Sequence, residues 1–457
     1  MLDFIVIGSG PSGLLVNGEL SKANLDGLCL EKGNSIKSKI EDVYTAKQII
    51  NGYKKSGMNP IIGAPPLILS EGECLGGGST LNSSLHHRVP KSIWNKWIVK
   101  YNLKNFSYEE AKSLYEEIEI LFSCSLGNSE MPEFYKSASN NMKVERIPRW
   151  GNHTKGKFER KTAYDVAKEN YPESIKNIMT GIEAIKIIKD TNNTFRIFCK
   201  NKNFKNKKSK KLEFKAKYVF LCCGAGASPI ILSSLGYHHK RLGSFKVHPT
   251  ARLSLIPIKK QKYTEIVEPF QITEFFPELM IGSSANRDYL SELNYPFRDN
   301  DINFSSCLNL YSMAPSNQKG KIILNGCFKG LKFYFLNDDT KYRIKFGINE
   351  IIRIASENYY SHAFSPAGKI NLKFKSAKSL DKFIFETISK TLSSVHIFSS
   401  AVCGGNSKYC PINSDGSVPG ISGIYLMDSS VIPSCPTVNP QSTVSIFALK
   451  MIREFLK

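Results

Sequence analysis

The sequence predicts an α/β fold in which a Rossmann-like core, assembled from separated stretches of chain, carries an inserted domain built on an antiparallel sheet. Three observations predict it. An apolar run, DFIVI at residues 3–7, leads into GSGPSG and then into the helical stretch LLVNGELSKAN. Between residues 250 and 350, apolar and polar residues alternate with the period of two that a half-buried strand requires. The C-terminal stretch returns to glycine turns, strands and a final helix, so the first core resumes at the end of the chain.

Taken in order, the first strand, the glycine turn, the helix and a second strand, GLCLEKG, make one βαβ unit of about 30 residues. Gly8, Gly10 and Gly13 hold the G-x-G-x-x-G positions, with Pro11 and Ser12 between the last two. The first glycine permits the tight turn, the second lets backbone approach a pyrophosphate, and the third lets helix pack on strand. The helix N-terminus then offers free N–H groups and a positive dipole end to phosphate. Glu31, at the end of the second strand, is the acid expected on a ribose. Pro60, Pro65 and Pro66 mark loops, and Gly76–Gly78 a second glycine turn. Residues from Trp94 to about Phe122 carry helical periodicity, and 125–160 read as irregular. The runs IEAIKII, TFRIFC, LEFKA and YVFLCCG predict a small β-meander ending in a third glycine turn and helix, GAGASPIILSSLG. Strands follow at ARLSLIPI, FQITEFF, INFSSCLNLYSM, KIILN and LKFYFL, then a helix at INEIIRIASENYY.

Composition bounds the rest. A chain of 457 residues is too long for one simple core, and 41% apolar content is that of a globular protein. No apolar run reaches the roughly 18 residues of a membrane-spanning helix. The first strand begins almost at Met1, which leaves no room for a cleaved leader and makes the cytoplasm the expected location. Basic residues outnumber acidic ones by 62 to 40, a net charge of +22 spread along the chain. The densest cluster, Asn201 to Lys217, reads as a solvated hairpin tip between two strands, with no nucleic-acid-binding motif around it. Weak peripheral contact with a membrane through that cluster stays open. The 11 cysteines form no CxxC pairs, so neither a disulfide framework nor a zinc site is expected, and no metal is predicted.

The second glycine turn makes the reading more specific. ECLGGGSTLNSSLHHRVPKSIWNKW, residues 73–97, resembles the flavin-cradling signature of the glucose–methanol–choline (GMC) family of FAD-dependent oxidoreductases, with Gly77, Gly78, Ser79 and Asn82 in the matching positions and Arg88, Pro90 and Trp97 downstream. YVFLCCGAGASPIILSSLG, with Cys223 and Gly224, resembles the family's middle strand–turn–helix, and KVHPTARL, with His248, the segment after it. MAPSNQKGKIIL, then Asp338 and Asp339, resemble a strand region of the substrate domain. SVHIFSSAVCGG carries His396, and LMDSSVIPSCPTVNPQSTVSIFAL carries Asp428, Asn439, Pro440, Gln441 and Thr443, in the order of the family's C-terminal segment.

The resemblance implies an FAD-binding domain of the kind shared with p-hydroxybenzoate hydroxylase, drawn from residues 1–95, 150–250 and 395–457, with a substrate-binding α+β domain from 96–149 and 251–394. It implies an alcohol oxidase or dehydrogenase, in which His396 and Asn439 match the family's catalytic pair. An alcohol must lose a hydroxyl proton and a hydride. Flavin N5 takes the hydride, a histidine suits the proton, and an amide orients the alcohol oxygen. Leu81 stands where some members carry a histidine bonded to the flavin, so non-covalent FAD is expected. Ser399-Ser400 and Cys403-Gly404 depart from the family pattern, so the active-site wall differs. A polar, sugar-like or polyol alcohol is the favoured substrate. Oxygen, a quinone or a carrier protein fits equally as electron acceptor. A non-redox lyase that keeps FAD for structure is the alternative. His86 and His87 are expected to be structural.

Overall fold

The computed structural model describes residues 1–154, 157–202, 211–259, 267–285, 307–357, 359–364, 371–373 and 392–457. Two large sheets organise it. The first has seven strands, in the order Ile178–Thr180, Gly27–Glu31, Leu2–Ile7, Lys211–Leu221, Phe195–Asn201 and Ile182–Lys189, with Ile424–Leu426 also paired to Lys211–Leu221. Phe4, Ile5 and Val6 are wholly buried, because their strand runs parallel between Gly27–Glu31 and Lys211–Leu221 in the middle of the sheet and so has no solvent-facing edge. The C-terminal helix Gln441–Phe455 closes the core, with Phe455 edge-on to Phe220 and Tyr425.

The strand Lys211–Leu221 belongs to two arrangements at once. Its first half pairs antiparallel with Phe195–Asn201, and its second half pairs parallel with Leu2–Ile7, so that Ala216 faces both Phe195 and Leu2. The predicted runs LEFKA and YVFLCCG are therefore one strand. The flanks of the basic cluster do pair antiparallel; residues 203–210 lie outside the described residues.

The second sheet has ten strands and is centred on Thr250–Pro257, Leu308–Met313 and Met280–Ser283. The helix Asp338–Glu357 covers it and buries Ile344, Ile348, Ile351 and Ile352. A four-stranded sheet containing Ser244–Val247 and Ile397–Phe398 lies between the two.

Three expectations need correction. The periodicity from Trp94 to Phe122 is two helices, Lys91–Tyr101 and Tyr108–Leu121. Asn102 and Asn105 between them adopt left-handed conformations, which asparagine tolerates, and Ser107 caps the second helix. The stretch 125–160 is not irregular. It holds the helix Glu133–Ser139, the strand Val144–Arg146 and the hairpin strands Gly151–Thr154 and Lys157–Arg160, each too short to leave a periodic signal. Asp338 and Asp339 start a helix rather than belonging to strands. Asn337 Oδ1 accepts from Thr340 N at 3.2 Å, and two acids suit the positive helix end. No helix among the described residues is long and apolar enough to cross a membrane.

Candidate active site

One cavity of about 720 Å³ runs from the glycine turn of the first strand to the second sheet. At its nucleotide end, Gly8 has φ +102°, and a Cβ there would lie 2.4 Å from Cys222 O. The Pro11–Lys22 helix starts at Gly10 with no side-chain cap, so its first amides stay available to an anion. Gly13 does not line the cavity; a Cβ there would stand 1.9 Å from Gly8 O, so it serves the packing of helix on strand. Glu31 Oε2 accepts from Ser9 N at 3.0 Å and Ser9 Oγ at 2.7 Å, and Oε1 from Gly33 N at 2.8 Å. Burial nevertheless raises its carboxyl pKa.

The second glycine turn lies against the first. A Cβ on Gly77, whose φ is +53°, would meet Gly10 Cα at 2.8 Å, while Gly10 and Gly78 face open space. Ser79 Oγ donates to Gly76 O at 2.7 Å and accepts from Ala163 N at 3.0 Å. Asn82 Nδ2 donates to Gln441 Oε1 at 2.7 Å, and Gln441 Nε2 to Leu85 O at 3.0 Å, which ties the turn to the head of the last helix. The third turn is tied by Asp428. Its Oδ2 accepts from Gly224 N at 2.8 Å and from Ser228 Oγ, and its Oδ1 from both N and Oγ of Ser430. Burial raises this carboxyl too. Cys223 and Pro440 line the same wall. Thr443 does not; its hydroxyl bonds Tyr115 OH at 2.9 Å.

His396 and Asn439 line the cavity together. His396 Nδ1 lies 3.0 Å from His248 Nδ1, and His248 Nε2 lies 2.9 Å from Cys435 Sγ. Burial, with His87 and Arg252 nearby, lowers the His396 pKa to about 3; burial also drives His248 well down and holds the Cys435 thiol at about 11. Both imidazoles and the thiol are therefore neutral at neutral pH. His86 and His87 do not line the cavity. His86 Nε2 pairs with Glu119 at 2.8 Å and Nδ1 accepts from Ser442 Oγ at 2.8 Å, while His87 Nε2 meets Gln271 Oε1 at 3.0 Å.

Beyond His396, the cavity wall carries several polar side chains among apolar ones such as Met313 and Ala285. In register, Thr250 faces Met313 and Arg252 faces Tyr311. Arg252 Nη1 donates to Ser393 Oγ at 2.8 Å and Nη2 to Tyr44 OH at 3.1 Å. Ser283 and Ser284 complete this end. On the rim, burial would raise the Glu71 carboxyl, but Lys54 and Lys332, 3.5 and 3.7 Å away, and Asn59, donating at 2.7 Å, hold it at about 2.

Family models of GMC oxidoreductases match residues 3–160 and 332–448, one at each end of the chain. The chain belongs to the GMC oxidoreductase family. It is therefore an FAD-dependent enzyme acting on the CH–OH group of its donor. An uncharacterised GMC-type oxidoreductase y4nJ of Sinorhizobium fredii is 23% identical, over 98% of this chain and 93% of that one. The long-chain-alcohol oxidase FAO3 of Arabidopsis thaliana is 22% identical, over 97% of this chain and 66% of its own. In fold, pyridoxine 4-oxidase from Mesorbium loti superposes with a TM-score of 0.71 at 13% identity, covering 100% of this chain and 99% of that one. A formate oxidase of Aspergillus oryzae gives 0.73, also at 13% identity and with the same coverage.

The cavity suits FAD on its own evidence: two glycine turns back to back, a helix start without a cap, and a buried carboxylate at the second strand's end. Sequence reasoning missed the His248–Cys435 support behind His396, although His248 sat in a quoted segment. It also missed Arg252, Tyr44 and Tyr311. No local pattern marks these three, because cross-strand register and loop packing bring them together.

Proposed function

We propose that this chain oxidises a small polar alcohol, sugar-like or a polyol, with His396 taking the hydroxyl proton and Asn439 holding the alcohol oxygen. One observation carries the reading: the buried, neutral His396 faces the cavity beside Asn439, with its Nδ1 committed to His248. The proton is then received at Nε2. That requires the resting His396 to carry its proton on Nδ1 and donate it to His248 Nδ1, while His248 Nε2–H donates to Cys435 Sγ. His248 acts through His396 as a positioning residue. FAD, when bound, would supply the hydride acceptor, and a buried imidazolium at His396 would find its counter-charge there. Pro440 and Gln441, at the head of the C-terminal helix, line the cavity, where the positive dipole end would favour negative charge on a bound flavin.

The polar alcohol is favoured by Thr250, Arg252, Ser283, Ser284 and two tyrosines around the far end of the cavity, which stand beside Met313 and Ala285 and offer hydrogen-bond partners to hydroxyl groups. Gly8, Gly10, Pro11, Ser12 and Glu31 hold the nucleotide part of FAD. Gly77, Gly78, Ser79, Asn82, Cys223, Gly224 and Asp428 shape the wall along its remainder. Leu81 has no nucleophile, so attachment is non-covalent. Eleven free cysteines favour the reducing cytoplasm.

The test is an anaerobic absorbance scan of the flavin-loaded protein against a panel of polyols, sugars and aliphatic alcohols. The oxidised-flavin band bleaches with the polar class, and readmitted air shows whether oxygen is the acceptor. Bleaching by long-chain alcohols alone overturns the substrate class. A band that no alcohol bleaches overturns the assignment of His396.

A further inference from the structure

The stretch between the second strand and the flavin turn folds into a hairpin whose strands, Pro60–Ile61 and Leu67–Leu69, pair Pro60 with Ile68 and Ile61 with Leu67. Its inner residues Ile61, Leu67 and Leu69 are core. A hairpin on a protein surface normally turns polar side chains outward. This one does not: every exposed residue from 58 to 68 is apolar, namely Met58, Pro60, Ile62, Ala64, Pro66 and Ile68. Met58 is 74% exposed, Ile62 42% and Ile68 47%. Ile62 bridges to Phe333, and Phe335, 63% exposed, lies two residues past the end of that short strand, Lys332–Phe333.

The unpaired charges of the stretch that carries the band are basic. From Val43 to Ser70 the sequence holds Lys47, Lys54 and Lys55 and no acidic residue. Lys54 is held by Glu71, but Lys47 and Lys55 are exposed and make no ion pair among the described residues. Lys47 shares a helix face with Ile50, which is itself exposed. The acids beyond Phe335 are already paired, Asp338 with Lys341 and Asp339 with Arg343.

We propose that the 58–68 hairpin, with Phe335, Ile50 and the unpaired Lys47 and Lys55, docks this protein on an anionic lipid surface. A contiguous apolar band of this kind marks an interaction site. The outward run contains no hydroxyl, amide or charge to orient a protein partner, and interfaces between proteins centre instead on Trp, Tyr and Arg. Apolar side chains that enter the acyl boundary, beside lysines that meet anionic headgroups, match an interfacial anchor. Tyr53 and Lys54 before the hairpin, and Ser70, Glu71 and Gly72 after it, line the cavity, so docking sets the cavity rim against the membrane. The proposal is independent of which alcohol is oxidised.

Co-sedimentation of the flavin-loaded protein with phosphatidylcholine vesicles, with and without phosphatidylglycerol, tests it. The protein pellets with the anionic vesicles and several-fold less with the neutral ones. The triple variant Ile62→Asp, Ile68→Asp, Phe335→Asp loses at least about tenfold in partitioning, while its flavin spectrum, melting temperature and turnover of a water-soluble alcohol stay those of the parent. In a separate variant, Ile68→Trp, emission shifts to the blue when anionic vesicles are added. Failure to pellet overturns the proposal, as does pelleting that the triple variant leaves intact, since other basic surfaces then suffice. An Ile68→Trp emission that vesicles do not move overturns it as well. A dimer in vesicle-free solution that the triple variant abolishes assigns the band to a second copy of the chain instead.

Discussion

The two ends of the cavity are built by different means. At the nucleotide end, each part is a short local motif: a strand, a glycine turn, a helix start and one acid at fixed spacing. At the end where the alcohol is proposed to bind, the wall is made of residues from strands far apart in sequence, aligned by register. Thr250 and Arg252 share a face because they are two apart on one strand, and they meet Met313 and Tyr311 because the sheet pairs them. At the first end, Gly8 and Gly77 leave no room for an added Cβ, so the two turns are fixed against their neighbours. The second end can change specificity by single side chains without disturbing the fold, a division that lets a family keep its cofactor while its substrates diverge.

The sharpest way to break this contrast is at the back-to-back glycines. Gly77→Val places a branched side chain against Gly10 at positive φ, and the purified protein carries no flavin absorbance. A variant that retains full flavin shows that the two turns do not jointly hold it. Next in size, His396→Ala keeps the flavin but slows its anaerobic reduction by about 10²–10⁴-fold. An unchanged rate removes the base assignment. At the alcohol end, Arg252→Met raises KM for a polar alcohol about tenfold, with a smaller change in kcat and none in flavin content; a fall in flavin content instead would place Arg252 at the cofactor.

The smallest effect is on stability. The folded Glu71 pKa is depressed, so its contribution is complete above the unfolded value near 4.5 and is lost as pH falls through about 2. Glu71→Gln is therefore less stable than the parent by about 1–3 kcal/mol at neutral pH, and denaturant melts of the two converge towards pH 2. A difference that persists at that pH assigns the loss to packing.

The same contrast explains what could be read from the sequence. The first βαβ unit, the three glycine turns and the final helix were legible because their signals are local, and the residues expected in the site nearly all line one cavity. Gly13 and Thr443 do not, the first because its expected work is packing and the second because Tyr115 takes its hydroxyl. The helix and the strands of 125–160 were illegible because elements of three to seven residues carry no period. Arg252, Tyr44 and the Cys435 behind His248 were illegible for another reason: only pairing and packing between distant segments place them. The apolar outward face of residues 58–68 was hidden in a stretch whose prolines read simply as loops.

The strand Lys211–Leu221 also constrains how the enzyme is made. It is flanked by Leu2–Ile7 from the start of the chain and by Ile424–Leu426 from near its end, and Asn82 waits for Gln441. Contacts of such long sequence separation close late. During synthesis the first glycine turn emerges early, yet the pocket around it stays unfinished until the Gln441–Phe455 helix is available to it. Completion of the pocket thus waits for residues 424–455, and the interval before it is when the half-built sheet is most exposed to misassembly.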